Sequence, residues 1–296
     1  MNLLFDKIAA PFVQGALRLQ SMFSAGYLSK VIDKTEVSAR IGEVFIVGAG
    51  PGDAELLTMK AYRLLQTADV VLFDWLVDES VLNCIPRHVA REFVGKRCGQ
   101  HSMPQEKICE RLVSLGLEGK RVVRLKGGDP AIFARTSEET TALQKAGIPF
   151  AIVPGITAAS GASAYTGIPL TDRRCAKSVR LITAQFENPK KQADWSAIAK
   201  SSVHETTVVY MGLKKLKQLS EKLMDAGIDT SIPVAVIDNA CCNDQQVITG
   251  SISDISERVA LATIKGPALV VIGQVVACRQ AVSIDLLDYS YEKCTL

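Results

Sequence analysis

The chain has 296 residues, 48% of them hydrophobic and 22% charged, and 34 Lys+Arg against 31 Asp+Glu leave a net charge of +3. This composition excludes a disordered or fibrous chain and gives no polyelectrolyte field for nucleic acid, so an anionic ligand has to be met by local arginines. No apolar run reaches the roughly 20 residues that span a bilayer, and no integral membrane segment is expected.

Residues 1–41 read as an N-terminal extension, helical or disordered. Leu3, Leu4, Phe5, Ile8, Phe12, Val13, Leu17 and Leu19 recur at mixed helical spacings, interrupted by Asp6, Lys7 and Pro11. Charges break the apolar run, which argues against a secretory signal. Packing on a partner subunit or a loose tail is the preferred reading, with a membrane-surface anchor as the alternative.

From Gly42 onward, short runs rich in Val, Ile and Phe alternate with helical patterns, the mark of a parallel α/β arrangement. Strands are expected at 43–47, 69–73, 121–125 and 150–153, with helices at 55–66, 105–115 and 137–145. They make an N-terminal α/β domain over 42–154. A Pro-Gly break at Pro154-Gly155 opens an alanine-rich helix at 158–165 and a C-terminal α/β domain over 155–285, followed by a tail at 286–296. Strands are expected there at 179–183, 206–210, 233–238, 246–249 and 267–272, and helices at 194–200, 213–225 and 252–259. The fold class is therefore two α/β domains with mostly parallel sheets and an interdomain cofactor cleft.

Four turns at strand ends carry the chemistry. Gly48-Ala49-Gly50-Pro51-Gly52-Asp53 follows the first strand, and its glycines permit close backbone approach to a ligand. It departs from the dinucleotide fingerprint, because Asp53 stands where a third glycine belongs and Pro51 removes a donor that a phosphate would use. A ligand without phosphate is favoured; a plain strand-to-helix turn with Asp53 near the helix start is the alternative. Arg124-Leu125-Lys126-Gly127-Gly128-Asp129-Pro130 supplies a second glycine turn, whose Asp129 can receive hydroxyl or ammonium groups. Val153-Pro154-Gly155-Ile156-Thr157-Ala158-Ala159 adds a hydroxyl and small side chains against which a flat ring can lie. Tyr210-Met211-Gly212 offers a thioether. The eight cysteines, at 84, 98, 109, 175, 241, 242, 278 and 294, form no C-x-x-C pair and no metal-like spacing with the three histidines. Free thiols in a reducing cytoplasm are expected, and no metal.

Taken in order, VGAGPGD, LLTMKAYRLLQTADVVLFDWLV, VGKRCGQHSMPQE, RLKGGDP, IFARTSEE, VPGITAASG, GIPLTDR and YMG make the chain resemble the uroporphyrinogen-III C-methyltransferases, found also as the methylating part of sirohaem synthase. The resemblance runs from about Gly42 to Arg279. GAGPGD alone would mark only the wider tetrapyrrole methylase superfamily. The resemblance implies a cytoplasmic homodimer that binds S-adenosylmethionine, releases S-adenosylhomocysteine, and methylates two pyrrole rings of uroporphyrinogen III to give precorrin-2 for sirohaem and, in some organisms, cobalamin. By matching motif positions it implies cofactor contacts from Pro51, Gly127, Gly128, Asp129, Ile132, Thr157, Ala158, Met211 and Ala240, with Asp74 as proton acceptor and Lys96 as proton donor.

A polyacid substrate calls for forked guanidinium donors, and Arg97, Arg135 and Arg173 are the candidates, each with a solvated surface charge as its alternative. His101 serves either substrate contact or the helix start. The chain departs from the family where relatives show GKRGG, FGRGGEE and ENGT: Cys98, then Ala134, Thr136 and Ser137, and then Ala240 at a cofactor position that is usually glycine. If that position needs a positive φ, affinity should suffer. Competing readings are a methylase of a later precorrin and a nicotinamide-dependent oxidoreductase whose Asp74 would hold a ribose.

Overall fold

The computed structural model describes residues 41–95, 103–185, 193–264 and 266–287. The first sheet contains β1 (Glu43–Gly48), β2 (Val70–Phe73), β3 (Ala90–Phe93), β4 (Arg121–Lys126) and β5 (Phe150–Val153), ordered β3-β2-β4-β1-β5. Its pairings are all parallel. Parallel neighbours need long crossovers, and these are supplied by α1 (Met59–Gln66), α2 (Glu79–Asn83), α3 (Gln105–Leu117) and α4 (Thr136–Lys145).

Strand alternation divides the apolar residues into two layers. Val44 and Ile46 of β1 join Val122, Leu112 and Leu143 on one face. Val47 joins Val123, Leu125, Leu64 and Leu65 on the other. The chain leaves β1 toward α1 and β2, but leaves the adjacent β4 toward α4 and β5, in the opposite direction and on the opposite face. That reversal opens a crevice at the carboxyl ends of β1 and β4, the usual ligand position in such sheets.

The second sheet contains β6 (Ser178–Thr183), β7 (Glu205–Tyr210), β8 (Pro233–Asp238), β9 (Gln246–Ser251) and β10 (Ala268–Ile272), ordered β6-β7-β10-β8-β9. Here the expectation of mostly parallel pairing fails. Only β6 and β7 run parallel, whereas β7–β10, β10–β8 and β8–β9 are antiparallel. The turn between β8 and β9 is too short for a crossover, so it closes a hairpin, and β10 then inserts between β8 and β7. Apolar runs such as Val234 to Ile237 mark a buried strand without revealing its direction. This sheet is covered by α5 (Ala158–Thr166), α6 (Trp195–Ser201), α7 (Leu216–Asp225) and α8 (Ile255–Ala260).

One strand and one α-helix have no counterpart among the elements expected from sequence. β3 is an edge strand with three exposed residues, so no apolar run announces it; α2 has only five residues. The helix expected at 55–66 divides into a 3-10 turn, Ala54–Leu56, and α1, because Thr58 Oγ1 caps α1 by accepting from the Ala61 N–H at 3.1 Å. The 213–225 helix divides likewise at Lys215. Among the described residues no helix is long and apolar enough to cross a membrane.

Leu125 is fully buried between β1 and the α1 layer. Leu125→Ala should lower unfolding free energy by about 2–5 kcal/mol, measured by urea denaturation; a loss under about 1 kcal/mol would place the centre of that layer elsewhere.

Candidate active site at the glycine rim

The glycine turns at the ends of β1, β4 and β5 converge through backbone. Ala49 donates its N–H to the Lys126 carbonyl at 2.8 Å, and Gly50 and Gly128 exchange N–H to carbonyl bonds of 3.2 and 2.7 Å. Both glycines have positive φ, +75° and +69°. The third turn closes against them with no room for side chains. A Cβ on Gly48 would lie 2.5 Å from the Gly155 nitrogen and 2.7 Å from the Gly128 oxygen, and one on Gly155 would overlap the Gly128 carbonyl. Asp129 locks the arrangement: Oδ2 accepts from the Gly155 N–H at 3.0 Å and Oδ1 from the Ala131 N–H at 2.6 Å. The carboxylate thus sets the turn first, with lone pairs left over for a ligand.

The second sheet joins this rim through α5. Thr157, at the start of α5, shares a 2.6 Å hydrogen bond with the Tyr210 hydroxyl, which also accepts from the Ala159 N–H at 3.1 Å. Tyr210, the last residue of β7, therefore satisfies a helix N-terminus that Thr157 does not cap itself. Burial raises the Tyr210 phenol above its ordinary range, so the hydroxyl stays protonated. Its ring packs on Phe133 with centroids 5.1 Å apart. Met211 and Phe133 both take left-handed backbone, at φ 55° and 51°, and remain 46% and 41% exposed. Two bulky apolar residues held in strained, open positions are what a ligand cleft needs.

On the other flank, small residues allow close contact. A Cβ on Gly161 would sit 2.5 Å from Pro51 Cγ and 2.8 Å from Cys241 Sγ, and Gly52 lies against Cys242 and Ala240. Burial pushes the thiols of Cys241 and Cys242 up to about 12 and about 11, so at neutral pH they are protonated packing groups. Positive φ falls on Asn239 and Cys241 and not on Ala240, so alanine takes the usual glycine place without strain. Asp53 Oδ2 accepts a 2.5 Å hydrogen bond from the Tyr165 hydroxyl, joining the first glycine turn to α5. Burial and this partner raise the Tyr165 phenol.

Asp74 follows β2 directly, with Gly95 packed on its Cα. Its Oδ2 is 3.1 Å from Arg124 Nη2, and its Oδ1 accepts from the Leu76 N–H at 3.1 Å. Arg124 Nε also reaches Glu139 at 3.1 Å, and Lys126 Nζ reaches both Glu139 oxygens at 2.9 Å. Arg124, Lys126 and Glu139 are buried. Burial, and then the Arg124 guanidinium, hold the Lys126 ammonium below the ordinary lysine range. Two cations and two carboxylates close a neutral cluster that fixes Asp74. Arg124, Lys126, Glu139, Tyr165 and Tyr210 are not among the site residues expected from the motifs. The signal was present for two of them: in Arg121-Val122-Val123-Arg124-Leu125-Lys126, alternation puts Arg124 and Lys126 on the buried face of a central strand, which demands a buried carboxylate.

The remaining expected residues are more scattered. Gly127 packs on Leu76, Ile132 donates its N–H to the Asp129 carbonyl at 3.1 Å, and Ala158 is the first residue of α5. Arg135 is exposed and engaged by Glu138 at 2.7 Å, and Arg173 is exposed. Lys96, Arg97 and His101 lie outside the described residues. The charges carried by the rim turns themselves are the carboxylates of Asp53 and Asp129. Among the described residues no group of three or more His, Cys, Asp or Glu could hold a metal.

A family model described as tetrapyrrole (corrin/porphyrin) methylases matches residues 43–256. The siroheme synthase of Enterobacter sp. (strain 638) is 47% identical over 246 residues, covering 83% of this chain and 53% of that protein. The chain thus spans about half the length of the curated relatives it matches. The structure of uroporphyrin-III C-methyl transferase from Thermus thermophilus complexed with S-adenyl homocysteine is 36% identical, with a TM-score of 0.68, over 80% of this chain and 100% of its own. A cobalt precorrin-4 methyltransferase, 27% identical, matches with a TM-score of 0.70 over 79% of this chain and 95% of its own.

Glu139→Ala leaves Arg124 and Lys126 buried without their shared anion and should destabilise the protein by about 3–5 kcal/mol. Denaturant unfolding checks this, and an unchanged midpoint would show that the cluster does not hold the β4–α4 layer.

Proposed function

Because the chain belongs to the tetrapyrrole (corrin/porphyrin) methylases, we propose that it binds S-adenosylmethionine at the glycine rim and methylates uroporphyrinogen III at two pyrrole carbons, giving precorrin-2. The observation that carries the reading is the chemistry of the rim. It offers backbone amides and carbonyls, apolar Met211, Phe133 and Ile132, and two carboxylates. Such a surface suits a cationic nucleoside with ribose hydroxyls and repels a pyrophosphate. The residues therefore fit the sulfonium cofactor. The oxidoreductase alternative is disfavoured because Asp53 stands where the dinucleotide fingerprint needs its third glycine and because the family model that matches is a methylase.

When bound, S-adenosylmethionine supplies a sulfonium methyl that an electron-rich pyrrole carbon can take directly. The chain's own contribution is position and proton traffic. Pro51, Gly127, Gly128, Asp129, Ile132, Thr157, Ala158, Met211 and Ala240 surround the cofactor in this reading, and Tyr210 holds the Thr157 and Ala159 ends of the cradle through its hydroxyl. Asp74, oriented by Arg124, accepts the proton lost from the methylated ring, and Lys96 returns one. Arg97, Arg135 and Arg173 meet the carboxylates of the macrocycle. Domains 42–154 and 155–285 close around the ligands, two such chains form a homodimer in the cytoplasm, and the product enters sirohaem synthesis and, where that pathway exists, cobalamin synthesis.

Incubation of the purified protein with uroporphyrinogen III and S-adenosylmethionine under anaerobic conditions should yield a macrocycle heavier by two methyl groups in mass spectrometry. Recovery of unmodified porphyrinogen alone would overturn the proposal. Asp74→Asn should lower kcat by about 10²–10⁴ while S-adenosylhomocysteine affinity, measured by calorimetry, stays within about threefold; a tenfold or smaller loss of kcat would remove Asp74 from proton transfer.

A further inference from the structure

Near the C-terminal end of α5, Cys175 Sγ lies 3.8 Å from Cys278 Sγ. Cys175 closes the tight turn Asp172–Ala176, in which the Cys175 and Ala176 N–H groups donate to the Asp172 carbonyl at 3.0 and 2.8 Å. Cys278 ends the 3-10 turn Gln274–Cys278 that follows β10. Both thiols are partly exposed. An open cleft of about 360 Å³, lined by Ser163, Asp172, Arg174, Cys278 and Gln280, runs beside them.

We infer that Cys175 and Cys278 form a thiol–disulfide site that is oxidised by small-molecule disulfides and, when oxidised, staples the 172–176 turn to the end of β10. The two sulfur atoms are already in van der Waals contact and have to close to the bonding distance of about 2.05 Å. Cys278 lines the cleft and is the first to react. Its thiolate attacks one sulfur of the external disulfide, expels one thiol and leaves a mixed disulfide. The Cys175 thiolate then attacks the Cys278 sulfur and expels the second thiol. Two protein thiols lose two electrons and two protons, and the external disulfide takes them up as two thiols. Burial holds the Cys175 thiol above its ordinary range, so the second, resolving attack is the slower step and quickens as pH rises.

The bridge joins positions 103 residues apart, so it removes a large loop from the unfolded ensemble. In the folded state it fixes the turn that displays Arg173 and Arg174, whose guanidinium is otherwise tied only to Asp172 within the same turn, at 2.6 and 2.9 Å. The inference does not depend on the proposed methyl transfer.

Purified full-length protein is incubated with excess glutathione disulfide, alkylated, and digested without reduction. The expected result is a Cys175–Cys278 cross-linked peptide lighter by two hydrogens, lost on dithiothreitol treatment and absent from Cys175→Ser and Cys278→Ser. The oxidised protein should melt at least about 5 °C higher than the reduced form, and trypsin should cleave after Arg173 and Arg174 several times more slowly. Stable glutathione adducts on the separate cysteines, or a cross-link to any other cysteine, would overturn the assignment. The wild-type peptide map decides the question even if a serine variant fails to fold.

Discussion

The structure depends on three glycine turns approaching one another more closely than any side chain permits. Gly48, Gly128 and Gly155 come from the ends of β1, β4 and β5, and a Cβ on Gly48 or Gly155 would collide with backbone of the others. Once they meet, peptide groups rather than side chains form the floor of the cleft. That floor presents dipoles fixed by hydrogen bonds such as the Gly50–Gly128 pair. Preorganised dipoles need no rearrangement when a ligand arrives, so a site made this way is precise in position.

Around that floor, polar side chains act mainly as fasteners between elements. Asp129 holds the third turn, Tyr165 holds the first turn to α5, and Tyr210 holds the start of α5 to the end of β7. The cluster of Arg124, Glu139 and Lys126 does the same for Asp74. A buried cluster of this kind is weak support for stability taken as a whole, because desolvation offsets much of the attraction. Its contribution is to direction: Asp74 is held at one oxygen by Arg124 and at the other by the Leu76 N–H, so the carboxylate keeps a single orientation beside Gly95.

Sequence reasoning found the strands where side chains alternate or run apolar, and found the turns where glycine and proline punctuate them. It passed over β3, whose Ala90-Arg91-Glu92-Phe93 run carries little apolar signal because the strand lies at an edge. It also gave the second sheet the wrong direction, because a strand's burial is written in its residues whereas its polarity depends on which neighbour it meets. In the site, residues inside glycine motifs were legible. Tyr165 and Tyr210 were not, because their hydroxyl partners Asp53 and Thr157 stand 112 and 53 residues away.

By itself, the sequence determined that this is an α/β protein with glycine turns at strand ends, no phosphate-binding fingerprint, and a motif order resembling the tetrapyrrole methylases. Those properties are local, set by backbone freedom at glycine, by side-chain period and by residue type. Tertiary structure alone decided that the turns share one rim, that Arg124 and Lys126 close on Glu139 behind Asp74, that Cys175 faces Cys278, and that the second sheet runs largely antiparallel. Each of these is a meeting of residues far apart in the chain, and such meetings follow from packing the layers together rather than from any pattern within a single segment.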